Sequence, residues 1–189
     1  PAVWRGSEMM AISAQKNKTN VAIATWEWGS YFDPKLKLKG IKLNISKWKR
    51  PNPNSVPWDT KASGLYMICT LSKHEAESQG FTDSLMLDHD GNIAEATGAN
   101  IFFKDKEGSL HTPIPDSFLD GITRRAIIEI AKKVADIIPS EIIVKNKNDQ
   151  RTYRQNSDKL LSTGFKKKFS VSDAIKELKE KYENKKFIE

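Results

Sequence analysis

Cysteine is nearly absent: Cys69 is the single one in 189 residues. One thiol cannot close an internal disulfide, so a reducing compartment, the cytoplasm, is the expected location. No apolar run approaches the ~20 residues that a helix needs to cross a bilayer, so no membrane partner is expected. No G-x-G-x-x-G follows a strand and no P-loop is present, which removes two glycine-rich phosphate cradles. Neither an initiator methionine nor an apolar leader opens the chain. It begins Pro1-Ala2-Val3-Trp4-Arg5 and reads as starting inside a domain.

Charge of one sign is in excess, with a formal net charge of +7. That balance permits nucleic-acid binding, and Lys47, Lys49 and Arg50 around Trp48 could stack on a base. No aromatic-basic binding motif accompanies the charge, so a solvated basic surface is expected and nucleic acid is not. The Trp48 cluster reads as a loop over a pocket mouth. Five tryptophans and a hydrophobic content of 38% suit a soluble globular protein with a core.

Patterning gives the elements. Val21, Ile23 and Thr25 alternate with alanines, which predicts a strand over 20–28. Ile41, Leu43 and Ile45 predict another over 40–45. Leu65, Ile68, Cys69 and Ala76 share one helical face, with Gly80 at the C-terminal cap. Strands are predicted over 84–88 and 92–95, joined by the Asp90-Gly91 turn. Asp88 and Asp90 faintly resemble a calcium loop, but the remaining ligands are missing and a turn is the reading. Ala96 to Asn100 is a tight loop, and Ile101-Phe102-Phe103 a buried strand. Asp120-Gly121-Ile122-Thr123 opens a helix. A glycine followed by free backbone N–H groups is also a seat for a phosphate, although capped helix starts are common. Ser170 to Asp173 fits a capping box, with Ile175, Leu178 and Tyr182 as the apolar stripe of a last helix.

One stretch stands out chemically: Val56-Pro57-Trp58-Asp59-Thr60-Lys61-Ala62-Ser63-Gly64-Leu65-Tyr66-Met67. A lysine sits between a proline-framed entry and small residues that let backbone come close. Held against such a surface, a lysine loses water and becomes an amine nucleophile. From spacing alone, an exposed lysine ahead of a helix is the expected reading.

WEWGSYF, SKWKRPNPNSVPWDTKASGLYMICTL, GNIAEATGANIFF and LDGITRRAIIEIAKK follow in this order. Together they resemble the large domain of class IV aminotransferases, nearest to branched-chain amino-acid aminotransferases, over residues 3 to 133. The resemblance implies an α+β fold, a truncated fold-type IV pseudo-barrel with flanking helices and a short strand-helix tail. It implies pyridoxal phosphate held by Lys61 as a Schiff base. Glu95 would face the pyridine nitrogen, and Tyr66 the phenolic oxygen. Ile122 and Thr123 would cradle the phosphate through backbone N–H groups. Trp28, Thr97, Gly98 and Ala99 would line the substrate side, and no metal is implied. The implied reaction moves an amino group between leucine, isoleucine or valine and 2-oxoglutarate in a homo-oligomeric enzyme. Family groups absent from this chain imply reduced activity.

After Lys133 the likeness ends. Residues 134–189, through Asp149 to Lys159 and Thr163-Gly164-Phe165, resemble the C-terminal tail of NAD-dependent nucleotide-sugar epimerases and dehydratases. Arg151 or Arg154 would then lie near a nucleotide-sugar diphosphate. The expected domains are therefore 1–133 and 134–189, joined within 127–134. The alternative function is a non-catalytic fragment fused to an epimerase tail.

Overall fold

The computed structural model describes residues 1–30, 39–138, 141–143, 158–166 and 168–184. Two compact units divide the chain, Pro1–Ile41 and Lys42–Glu189. In the first, β1 (Ala2–Arg5) and β2 (Thr19–Ala22) form an antiparallel pair with Val3 opposite Val21. The strand predicted over 20–28 ends at Ala22, and its partner β1 was not anticipated. Asn17 shapes the connection, donating through Nδ2 to the Gly6 carbonyl at 2.6 Å.

The second unit is built on a three-stranded sheet in the order β3-β4-β5. β3 (Leu43–Ile45) runs parallel to β4 (Asp83–Leu87), which pairs antiparallel with β5 (Ile93–Ala96). A parallel pair needs a crossover. Here it is a 3-10 turn, Ser63–Tyr66, running into α1 (Met67–Ser78). Gly80, with φ +79°, supplies the left-handed residue that lets the chain leave α1 for β4. Asp90-Gly91 makes the β4–β5 turn. Asp88 accepts from the Asn92 backbone and side-chain amides at 2.8 and 3.0 Å, so its carboxylate serves the turn.

α1 presents Cys69, Ser72 and Ala76 as its buried face. The Ser72 hydroxyl meets that of Ser46 at 2.6 Å, and Ser84 donates to the Ser72 carbonyl at 3.0 Å. Small hydroxyl residues let the helix lie close to β3 and β4 while every buried oxygen in the contact keeps a partner. Phe118 and Met86 are the largest fully buried side chains.

β6 (Phe103–Lys104) and β7 (Leu110–His111) form a separate hairpin. The buried strand expected at Ile101–Phe103 is not found: Phe103 is 38% exposed, because its hairpin pairs with no further strand among the described residues. α2 (Ile122–Ile137) runs unbroken through the junction expected at 127–134. Beyond it lie the short α3 (Asp158–Leu161) and α4 (Val171–Glu183). Ser170 and Asp173 form the capping box that the sequence announces, and α4 packs on α2 with Ile175 buried. Arg151 and Arg154 lie outside the described residues.

Gly80 gives a direct test of the crossover. A Cβ there meets no atom within 4 Å, so any cost is conformational. Gly80→Ala should destabilise the protein by about 1 kcal/mol and Gly80→Asn by less, measured as thermal midpoints. Equal midpoints for both variants and the parent would contradict the role given to the left-handed residue.

Candidate active site

Local turns set the lysine. The Asn52 carbonyl accepts from the Ser55 amide and hydroxyl, and the Pro57 carbonyl accepts from the Thr60 amide and hydroxyl. The prolines stiffen these turns, and the chain enters the 3-10 turn with Lys61 just before it. That turn delivers Tyr66 one residue ahead of α1. Strand alternation does the rest: Ala94 points into the core and is fully buried, so Glu95 points the other way.

These side chains share one cavity of about 170 Å³. Lys61, Tyr66, Glu95, Thr97, Gly98 and Ala99 all line it, joined by Arg50, Cys69, Asn100 and Gly121. Lys61 is solvent-exposed, so the drying suggested by its small neighbours is not found. Ile122 and Thr123 begin α2 directly after Gly121, and both side chains are exposed. Neither lines the cavity; Gly121, the residue before them, does. The helix cap is Gly121 and has no side-chain bond; Asp120 instead pairs with Arg124 at 2.7 Å. Trp28 belongs to the first unit, where it packs edge-on against Trp26 at 5.8 Å.

Arg50 is the residue that sequence reasoning missed. Assigned to a loop flank, it is 4% exposed. Its Nε donates to the Ser117 carbonyl at 3.2 Å and lies 3.4 Å from Glu95 Oε1. One terminal nitrogen donates to the Leu65 carbonyl and to Cys69 Sγ, at 3.5 and 3.4 Å.

The electrostatics are a contest between burial and this cation. Desolvation pushes the Glu95 carboxyl up to about 7, and Arg50 offsets only part of it. Burial also raises the Cys69 thiol, again opposed by Arg50. The Tyr66 phenol is raised by burial and then by the charge of Glu95. Thr97 is tied outward by its hydroxyl to Asp83 Oδ1 at 2.5 Å, and the Ala96 amide closes the loop on the Ala99 carbonyl. An amine, a carboxyl that titrates near neutrality and the amino end of a helix thus face one space. This set can hold a carbonyl carbon, a basic nitrogen and an anion.

Residues 1–146 match the class IV amino-transferase family. The chain belongs to that family. Its sequence is 46% identical over 133 residues to a probable branched-chain-amino-acid aminotransferase of Rickettsia conorii, covering 70% of this chain and 44% of that protein. Among solved structures, the branched-chain amino acid aminotransferase of Escherichia coli superposes with a TM-score of 0.65 at 36% identity, covering 70% of this chain and 44% of that one. An aminotransferase from Brucella abortus bound to the co-factor PLP gives a TM-score of 0.53 at 28% identity, covering 70% of this chain and 46% of that one. The α+β fold is thus the fold-type IV architecture. This class IV chain spans less than half the length of the relatives it matches. No described helix is long and apolar enough to cross a membrane, and no described cluster of His, Cys, Asp and Glu suits a metal.

The raised carboxyl makes stability pH-dependent. Glu95 binds its proton more tightly folded than unfolded, so its favourable contribution is complete below its ordinary value of 4.5 and fades as pH rises through about 7. Relative to Glu95→Gln, the parent should lose up to about 3 kcal/mol between those limits and change little above pH ~8. Urea titrations of both proteins across pH ~4 to ~9 measure the difference. A gap that does not vary with pH would refute the assignment.

Proposed function

We propose that this chain is the pyridoxal-phosphate-binding portion of a branched-chain aminotransferase. The observation carrying the proposal is the cavity that Lys61, Tyr66 and Glu95 line together, although 34 residues separate the lysine from the acid. The branched-chain relatives support a branched-chain amino acid as one substrate; exchange between leucine, isoleucine or valine and 2-oxoglutarate is the reaction proposed. When bound, the cofactor supplies an electron sink for a carbanion at the amino acid's α-carbon. Lys61 Nζ is the amine that would hold its carbonyl carbon and, once displaced, move a proton at the substrate α-carbon. Glu95 would hold a proton at the ring nitrogen, and a carboxyl pushed up to about 7 can carry that proton or release it near neutrality. Tyr66 would donate to the phenolic oxygen. The amides of Ile122 and Thr123 would receive the phosphate at the positive end of α2. Thr97, Gly98 and Ala99 are proposed for the substrate side.

The cation inventory favours slow turnover. Lys61 and Arg50 are the two cationic side chains lining the cavity among the described residues, and Arg50 is engaged by Ser117, Leu65, Cys69 and Glu95. No second guanidinium lines the cavity among the described residues, and a charge-assisted contact to a phosphate or substrate carboxylate contributes roughly 1.5–3 kcal/mol. The expected outcome is binding with transamination well below the ordinary ~1–10³ s⁻¹. Borohydride reduction of the protein mixed with cofactor should leave the phosphopyridoxyl group on Lys61, located by peptide mapping, and Lys61→Ala should abolish it. Labelling elsewhere defeats the proposed role of Lys61. Turnover of leucine in the ordinary range would show that a second guanidinium is dispensable.

A further inference from the structure

We propose that Asn100 is the positioning residue for the anion-binding end of the site, an inference that rests on the cofactor reading above. Its carboxamide ties the loop after β5 to the stretch that opens α2. Oδ1 accepts from the Gly121 amide at 3.0 Å, and Nδ2 donates to the Leu119 carbonyl at 2.9 Å. Both ends of the amide are used, which fixes its orientation. The loop 96–100 that follows Glu95 is thereby tied to the residue that caps α2.

The bond selects which amides remain. A helix leaves its first N–H groups without intrahelical acceptors. In α2 the ladder opens with the Arg125 amide on the Gly121 carbonyl. Asn100 consumes the Gly121 N–H, so the amides that follow before the ladder opens, from Ile122, Thr123 and Arg124, are the ones left for an anion. The opposite side of the same turn is held by Arg124. It donates to Thr112 Oγ1 at 3.1 Å, Asp120 at 2.7 Å and the Pro113 carbonyl at 2.9 Å. Asn100 is thus the clamp on the cavity side, and Arg124 the clamp behind.

Gly121 carries the complementary observation. Its φ of −62° is open to any residue, so conformational freedom does not explain the glycine. A Cβ there would sit 2.2 Å from Asn100 Oδ1. The glycine is required by the approach of the carboxamide, and Gly121→Ala breaks the same bond from the other side.

The experiment measures binding of pyridoxal phosphate and of pyridoxal, which lacks the phosphate, to the full 189-residue chain by absorbance and fluorescence titration. Asn100→Ala should weaken pyridoxal phosphate about tenfold, comparable to loss of a helix cap, and leave pyridoxal within about twofold. Inorganic phosphate should compete less well against the variant's cofactor binding than against the parent's. Gly121→Ala should reproduce the selective loss and supplies the readout if Asn100→Ala does not fold. The double variant should bind no more weakly than Asn100→Ala alone, because both changes remove one bond. Equal weakening of both ligands, or of neither, overturns the role of Asn100 while leaving the cofactor reading intact. A parent chain that binds neither ligand overturns that reading and this proposal with it.

Discussion

The buried charge of Arg50 holds the site together. A guanidinium that is 4% exposed must find acceptors for its donors, since an unpaired buried charge costs several kcal/mol. Arg50 finds them in the loop before α2, the 3-10 turn and α1, and faces Glu95 on β5. Each acceptor belongs to a different stretch of chain, so one side chain sets the spacing of the cavity walls. The arginine is itself anchored, its amide donating to the Leu87 carbonyl at the end of β4. Sheet, helix and loop are thereby referred to a common point.

The same charge tunes Glu95 without fully ionising it. At 3.4 Å with Nε engaged by Ser117, the attraction falls short of the cost of burial. A freely paired carboxylate would be held well below its ordinary value of 4.5 and would enter any reaction as a pure acceptor. Sharing Arg50 among four partners leaves Glu95 able to carry a proton or release it near neutrality. For the proposed chemistry that is the useful state, because the group opposite must be protonated in the bound complex.

Much of the scaffold was legible. Gly80, Asp90-Gly91 and the Ser170–Asp173 box act locally, through one residue's φ or one turn's hydrogen bonds, and local signals survive in sequence. The order of Lys61, Tyr66 and Glu95 was legible through the family resemblance, and its convergence follows from the β–α–β crossover. Arg50 was not legible, because an arginine beside lysines and a tryptophan reads by default as surface, and only the fold brings Glu95 to it. The exposure of Phe103 was missed for a related reason. An apolar triplet predicts burial only if another strand arrives to cover it, and among the described residues β6 has β7 alone. β1 is four residues long, too short for a period of two to announce itself.

The parts of the site differ in how many bonds hold them, and the difference fits the work proposed for each. Glu95 rises from a strand whose preceding residue is fully buried, and its loop is tied to Asp83 through Thr97 and to α2 through Asn100. The first turn of α2 is clamped on two sides. Groups that must hold a ring nitrogen and a phosphate at a constant separation benefit from such stiffness, because orientation accounts for a large share of rate enhancement. Lys61 is different: it lies in the irregular chain between the Pro57–Thr60 turn and the 3-10 turn, exposed, on a flexible four-carbon stem. An amine that first holds a carbonyl carbon and then moves a proton at a neighbouring atom must swing between positions. A clamped acid and anion seat with an exposed amine on a flexible stem is therefore a consistent arrangement.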